Sequence, residues 1–363
     1  MTLKKTELSK EIAYNALQNF FANKPFVLFG TGTSCAVDLG FGMCALQTHL
    51  ESEMIKQVLT ALQQKEWNDV LDALKNNVDL ESAMNSVNDD NLTNIIIKIT
   101  ADLVAANDKK HSINILTGTT VWPAIGLFKH LVDGLPETDR KLHVATPNYD
   151  LLAEYAFAKA NILYLTGYCG GTHKKLDWVR AERQLTYPEV VKRLCVCKSK
   201  KHIRLYKVHG SLNTFRQDND IIECDSWMYN VPPSMQRLMI TPGTSKYEKL
   251  HQNRTQLLGE YDMAIENHST FLFIGFGFND NQLNNDSIKK KLKDQNCHGL
   301  IITRDTNARI ETLLNECKNL WLVCKQEHNE YTRIFNSNYS DWLNIDNEKL
   351  WDTQEFTKKI LGG

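Results

Sequence analysis

Nine short runs of continuous apolar, β-branched or aromatic residues limit how this chain can fold. They are FVLFG (26–30), INILTGT (113–119), LHVAT (142–146), ILYLTG (162–167), IRLYKVHG (203–210), RLMITPG (237–243), TFLFIGFG (270–277), GLIITRD (299–305) and LWLVC (320–324). A strand with one wet face alternates apolar and polar residues, whereas a strand covered on both faces need not. These runs therefore predict strands buried on both faces, as in parallel sheets. Helical patterns lie between several of them: YDLLAEYAFAKA (149–160) follows one run and NARIETLLNECKN (307–319) another. Strand-then-helix alternation predicts an α/β fold built on a doubly wound, parallel, Rossmann-like sheet.

One stretch breaks the alternation. From Met43 to about residue 110 there is no strand-like run, apart from the start of long helical stripes. Leu46, Leu50, Met54, Val58 and Leu62 recur every four residues, and Ile95, Ile99 and Leu103 form a second stripe. We expect an all-helical insertion over residues 43–110, within a single catalytic domain spanning 1–363. Residues 326–363 are expected to be a helical extension. The segment MTLKKTELSKEIAYNALQNF at the start reads as an amphipathic helix rather than a signal peptide.

The chain has 363 residues, nine scattered cysteines and a net charge of −1. An odd, scattered set of thiols fits a reducing cytoplasm. No apolar run is long enough to span a bilayer. Near-neutral charge gives no general attraction to nucleic acid, and KSKKHIR (198–204) reads as a solvated face.

Four of the expected strands end in glycine or in residues that carry chemistry. The first runs into GTGTS, Gly30 to Ser34. A glycine turn between strand and helix lets backbone approach a pyrophosphate, and free N–H groups at a helix start favour anions. A second strand ends before Pro147-Asn148-Tyr149-Asp150, a third at His209-Gly210-Ser211, and a fourth at Gly275-Phe276-Gly277. Helix capping accounts for Asn148 or Asp150, and a satisfied core histidine accounts for His209. All four nevertheless fall at carboxyl ends of parallel strands, where such sheets bind ligands.

Taken in order, GTGTS, PNYD, VHGS, FIGFGFND and LIITRD resemble the sirtuin family, in particular the divergent sirtuin-like domains of bacterial anti-phage defence systems. The resemblance covers most of residues 25–305. It implies NAD+ as the substrate. Gly30, Thr31, Gly32, Thr33 and Ser34 would hold its phosphates. Asn148 would orient a water beside the nicotinamide ribose, Asp150 would meet the carboxamide, and His209 would act as general base. Gly210 would leave room for the ribose. Asp38, Gly275, Phe276, Gly277, Thr303 and Arg304 would contact the rest of the nucleotide.

The sequence also departs from deacylating sirtuins. These carry a zinc module of two C-x-x-C pairs. Here Cys195 and Cys197 form C-x-C, with His202 and a lone Cys224 beyond. No zinc is therefore expected, and an acyl-lysine groove is placed in doubt. The expectation is a cytoplasmic NAD+ glycohydrolase that releases nicotinamide and ADP-ribose and depletes NAD+ in defence by abortive infection. A protein-lysine deacylase and a non-catalytic nucleotide-binding assembly subunit are the alternatives. The segment after the last run is too short for a sensor domain. Control by a homo-oligomer, or by a partner such as a HerA-like ring ATPase, is implied, with residues 43–110 and EKLWDTQEFTKKIL as candidate assembly surfaces.

Overall fold

The computed structural model describes residues 5–217, 220–240, 258–279, 286–294 and 296–362. Its centre is a nine-stranded sheet of order β16-β15-β14-β13-β12-β1-β2-β8-β3. The strands are β1 (Phe26–Phe29), β2 (Lys141–Thr146), β3 (Tyr164–Leu165), β8 (His202–Lys207), β12 (Thr270–Ile274), β13 (His298–Ile302), β14 (Leu320–Lys325), β15 (Thr332–Asn336) and β16 (Leu343–Ile345). The pairs from β14 through to β3 are all parallel.

Two apolar cores explain why the runs are continuous. Val27 and Phe29 of β1 pack into one core with Val144, Leu205, Leu272 and Ile302. Phe26 and Leu28 pack into the other with Tyr206, Phe271, Phe273 and Ile301. Successive side chains of a strand point to opposite faces, so a sheet covered twice requires apolar residues at every position. Helices Lys10–Phe20, Ile125–Asp133 and Leu152–Lys159 cover the first face. Helices Gly259–Glu266 and Ala308–Glu316 cover the second. The fold is mixed α/β with a large, mostly parallel sheet.

Three expected elements come out differently. The run 113–119 is not a strand: residues up to Thr117 close the 28-residue helix Asp90–Thr117, and Gly118 ends it at φ +83°. Its few apolar residues do not by themselves distinguish a strand from a helix end, and Ile113 and Leu116 are exposed. Residues 326–363 are not simply helical. They first add β15 and β16, both antiparallel, to the sheet edge. The burial of β15 alternates along its length, so it lacks the continuous apolar run that marks the interior strands. The third is RLMITPG. Its first part forms β11 (Gln236–Met239), which belongs to a second, five-stranded sheet, while residues 241–243 lie outside the described residues.

That second sheet has the order β11-β9-β10-β5-β4 and is antiparallel throughout. Its other strands are β4 (Tyr168–Gly170), β5 (Lys174–Leu176), β9 (Gly210–Gln217) and β10 (Asp220–Glu223). A separate hairpin pairs β6 (Thr186–Val191) with β7 (Leu194–Ser199). Helices Met43–Met54, Ala61–Lys75 and Asp90–Thr117 build their own apolar cluster around Leu50, Trp67, Val70 and Ile96. Side chains of Thr60, Asp79 and Asp89 cap helix starts in this stretch. Among the described residues, no helix is long and apolar enough to cross a membrane.

β1 lies where the sheet changes direction, with β2 on one side and β12 on the other. Such a switch point opens a crevice beyond the strand ends. Here the two chains leaving β1 and β12 cross in direct backbone contact. The Gly30 N–H donates to the Ile274 carbonyl at 2.9 Å and the Gly32 N–H to the Gly275 carbonyl at 3.0 Å. A Cβ on Gly32 would sit 2.7 Å from the Gly275 Cα, and one on Gly30 would sit 2.7 Å from the Gly275 oxygen. Gly275 itself has φ +54°. Backbone cannot yield as a flexible side chain does. We predict that Gly32→Ala lowers unfolding free energy in urea by about 1–3 kcal/mol. Gly277→Ala, whose Cβ would make an ordinary 3.4 Å contact, should stay within about 1 kcal/mol of wild type.

Candidate active site

The glycine crossing holds the loop after β2. Asn148 Nδ2 donates to the Gly30 carbonyl at 3.1 Å and to Ser34 Oγ at 3.0 Å. Ser34 Oγ passes its own proton to Asp150 Oδ2 at 2.8 Å. Both amide hydrogens of Asn148 are thus committed, which sets the orientation of its side chain. The remaining atom, Asn148 Oδ1, is buried and has no hydrogen-bond partner among the described residues. Asn148 and Asp150 are each 6% exposed and Ser34 is 1% exposed.

Asp150 lies at the head of the helix Leu152–Lys159, where its Oδ1 accepts the Leu152 N–H at 3.2 Å. Burial pushes its carboxyl up to about 6, while Lys207 and the Ser34 hydroxyl pull it down and Asp108 pushes it up. Lys207, at the end of β8, donates to the Asp150 carbonyl at 2.6 Å and pairs with Glu154 at 2.9 Å. Asp108 reaches in from the long helix. It accepts the Leu151 N–H at 2.8 Å and the hydroxyls of Tyr155 and Tyr229 at 2.8 and 2.6 Å.

β2 and β8 pair in register from Lys141↔His202 to Thr146↔Lys207. This places His209 just past the end of β8, beside the start of the Asn148 loop. Its side chain is buried at 4% exposure. Gly210 follows with φ +75°, and a Cβ there would meet the Leu238 carbonyl oxygen at 2.0 Å. Gly210 does let the chain turn, through left-handed space against β11, but the space its missing side chain leaves is taken by the Leu238 carbonyl rather than left for a ribose.

A cleft of about 560 Å³ opens at the carboxyl ends of β1, β12 and β13. Gly32, Thr33, Gly275, Thr303 and Arg304 line it, and so do Glu330 and Trp351 from the C-terminal segment. Asn148, Asp150 and His209 are not among its lining residues. The phosphate cradle expected from free N–H groups is also corrected. The amides of Gly30 and Gly32 donate to the Ile274 and Gly275 carbonyls, and those of Thr33 and Ser34 donate within the turn to the Gly30 and Thr31 carbonyls. Two further expected nucleotide contacts point elsewhere. Asp38 caps the turn at Gly40 and binds Lys110 and His111 at 2.6 and 2.7 Å, and these bonds, that of Lys110 foremost, hold its carboxyl low. The Phe276 ring packs with Phe273 and Phe278 in the core.

Cys195 and Cys197 are exposed on β7, while Cys224 is buried beside Phe215 and Ile222. Among the described residues, no group of three or more His, Cys, Asp and Glu is placed to hold a metal.

Residues 142–322 match the family model of the SIR2-like domain. The match starts at β2 and ends in β14, so it takes in Asn148, Asp150, His209, Gly275, Thr303 and Arg304. The glycine turn at 30–34 and the cleft residues Glu330 and Trp351 lie outside it. The chain therefore carries a SIR2-like domain over these residues, which ties it to NAD+. No curated protein matches the chain.

Reading the sequence missed Lys207, Glu154 and Asp108. A lysine inside a continuous apolar strand, as in RLYKVHG, was the available signal, because such a charge is costly without a buried partner. Asp108 gave no such signal, since one acid on a long helix looks solvated. We predict a pH signature for Asp150. Between about pH 4 and 6 the native state keeps a proton on it that the unfolded chain has released. Stability of wild type relative to Asp150→Asn should thus fall as pH rises through that window, by on the order of 3 kcal/mol in total, and level off above it. Urea unfolding of both proteins from pH 4 to 7.5 measures this.

Proposed function

We propose that the protein is an NAD+ glycohydrolase. The observation that carries the reading is the committed amide of Asn148. With both N–H groups held by Gly30 and Ser34, only Oδ1 is left to act, and it can only accept. A buried acceptor without a donor costs about 1–3 kcal/mol. A ribose hydroxyl or an attacking water would supply that donor. Asn148 would then orient the nucleophile without competing as a base, and His209, beside the same loop, would take its proton near neutral pH.

In this reaction the bond between ribose C1′ and the nicotinamide nitrogen breaks. The bonding pair leaves with nicotinamide, which cancels its positive charge. A water oxygen bonds to C1′ and gives up a proton. The protein's part is to hold one water in line and to shield the cationic sugar from bulk solvent. Asp150, uncharged for part of the time near neutral pH, could meet the carboxamide as donor or acceptor. Arg304, Thr303 and Trp351, which line the cleft, would meet the rest of the nucleotide.

The proposal extends to biology through the resemblance alone: an effector that depletes NAD+ during phage infection, held silent in a homo-oligomer or by a HerA-like ring ATPase. Incubating the purified chain with NAD+ and following nicotinamide by chromatography tests the chemistry. Asn148→Ala and His209→Ala should each lower the rate by about 10²–10⁴-fold. Full activity in both variants would overturn the assignment. NAD+ loss that requires an acyl-lysine peptide would replace hydrolysis by deacylation.

A further inference from the structure

A second cavity, of about 420 Å³, lies between the central sheet and the antiparallel sheet and shares no lining residue with the first cleft. Its walls come from the helix Leu152–Lys159, the end of β3, and strands β4, β5, β9 and β10. The SIR2-like match does not say what it holds.

Its chemistry is one-sided. Glu154, Glu223 and Asp225 face it against a single lining cation, Lys174. Lys174 lies 2.8 Å from Asp225 and 3.8 Å from Glu223. Lys207 engages only Oε1 of Glu154. Glu154 Oε2 and the Tyr168 hydroxyl are both buried without a hydrogen-bond partner among the described residues. Their residues are 4% and 8% exposed. A carboxylate oxygen can only accept, so the missing partner is a donor. Independently, burial pushes Glu223 up to about 7. Lys174 and a Thr166 hydrogen bond pull it down, and Asp225 and Glu154 push it up. Three carboxylates, Glu154, Glu223 and Asp225, thus share two lysines, Lys174 and Lys207.

We propose that this cavity binds a small organic cation, an alkylammonium or guanidinium group, with Glu154 and Glu223 as charged partners and Tyr168 as a further acceptor. Several N–H donors on one cationic head satisfy these oxygens together. The volume falls within the range of small-molecule sites. Anions are repelled, and a neutral alcohol leaves the charge deficit in place. The site does not depend on NAD+ cleavage. Lys207, shared by Glu154 and the Asp150 carbonyl, connects the two regions.

Calorimetric titration of the full chain with putrescine and with agmatine tests this, with 1,4-butanediol as the neutral counterpart. At least one cation should bind saturably at one site per chain, and the diol should not. Glu223→Gln should weaken binding at least tenfold. Tyr168→Phe, which removes one oxygen, should weaken it measurably and provides the test if the glutamine variant unfolds. A cation favours ionised Glu223, so binding near pH 6.5 should release a proton, and affinity should rise from pH 6 to 8 while the amines stay charged. Absence of saturable binding of both cations, or binding that both variants leave unchanged, overturns the proposal.

Discussion

The site is organised by the contact between two stretches of backbone, Gly30–Gly32 after β1 and Gly275 after β12. With no side chain between them, the chains come close enough to hydrogen-bond directly. The contact orients the Gly30 carbonyl and Ser34, and these two atoms in turn hold the amide of Asn148. A methyl group at the crossing would part the chains and release the loop that carries Asn148 and Asp150. The glycines act here as a structural clasp, and the cleft lined by Gly32 and Gly275 is the space left beside it.

A buried polar network supports that clasp. Asp108, Asp150, Glu154 and Lys207 are all buried and belong to the long helix, the loop after β2, the following helix and β8. Such groups are tolerated only when mutually satisfied. Their hydrogen bonds tie the long helix and the central sheet to one point, and Tyr229 adds a bond from beside the antiparallel sheet. Among the described residues, Asn148 Oδ1 beside this network and Glu154 Oε2 within it have no hydrogen-bond partner. They lie on either side of the Asp150 turn, and each marks a place where a ligand can supply a donor.

The C-terminal segment EKLWDTQEFTKKIL is a candidate assembly surface from its sequence, with plain packing as the alternative. In the fold, Phe356 and Ile360 enter the main core while Trp351 and Asp352 wall the cleft. Glu330 joins them from the turn before β15. A segment beyond the SIR2-like match thus forms part of the wall of the cleft.

Much of this was legible in the chain itself. The continuous runs around Val27, Val144, Leu205, Leu272 and Leu300 read as strands covered on both faces, and the two cores show why, since apolar side chains leave the sheet in both directions. The order of motifs at the strand ends also carried the resemblance to the sirtuin family, which the SIR2-like match over residues 142–322 supports. Strands with one half-buried face, such as β15, and the antiparallel sheet were hidden, because short alternating segments depend on their partners for stability. Only the tertiary structure decided what the glycines are for. Whether the space beside Gly210 goes to a ligand or to the Leu238 carbonyl, and whether the amides of Gly30 and Gly32 face a phosphate or the backbone at Ile274 and Gly275, depends on which distant backbone arrives beside them. The same holds for Lys207 and Glu154: each charge alone is unfavourable in a core, and only folding reveals that they are buried together.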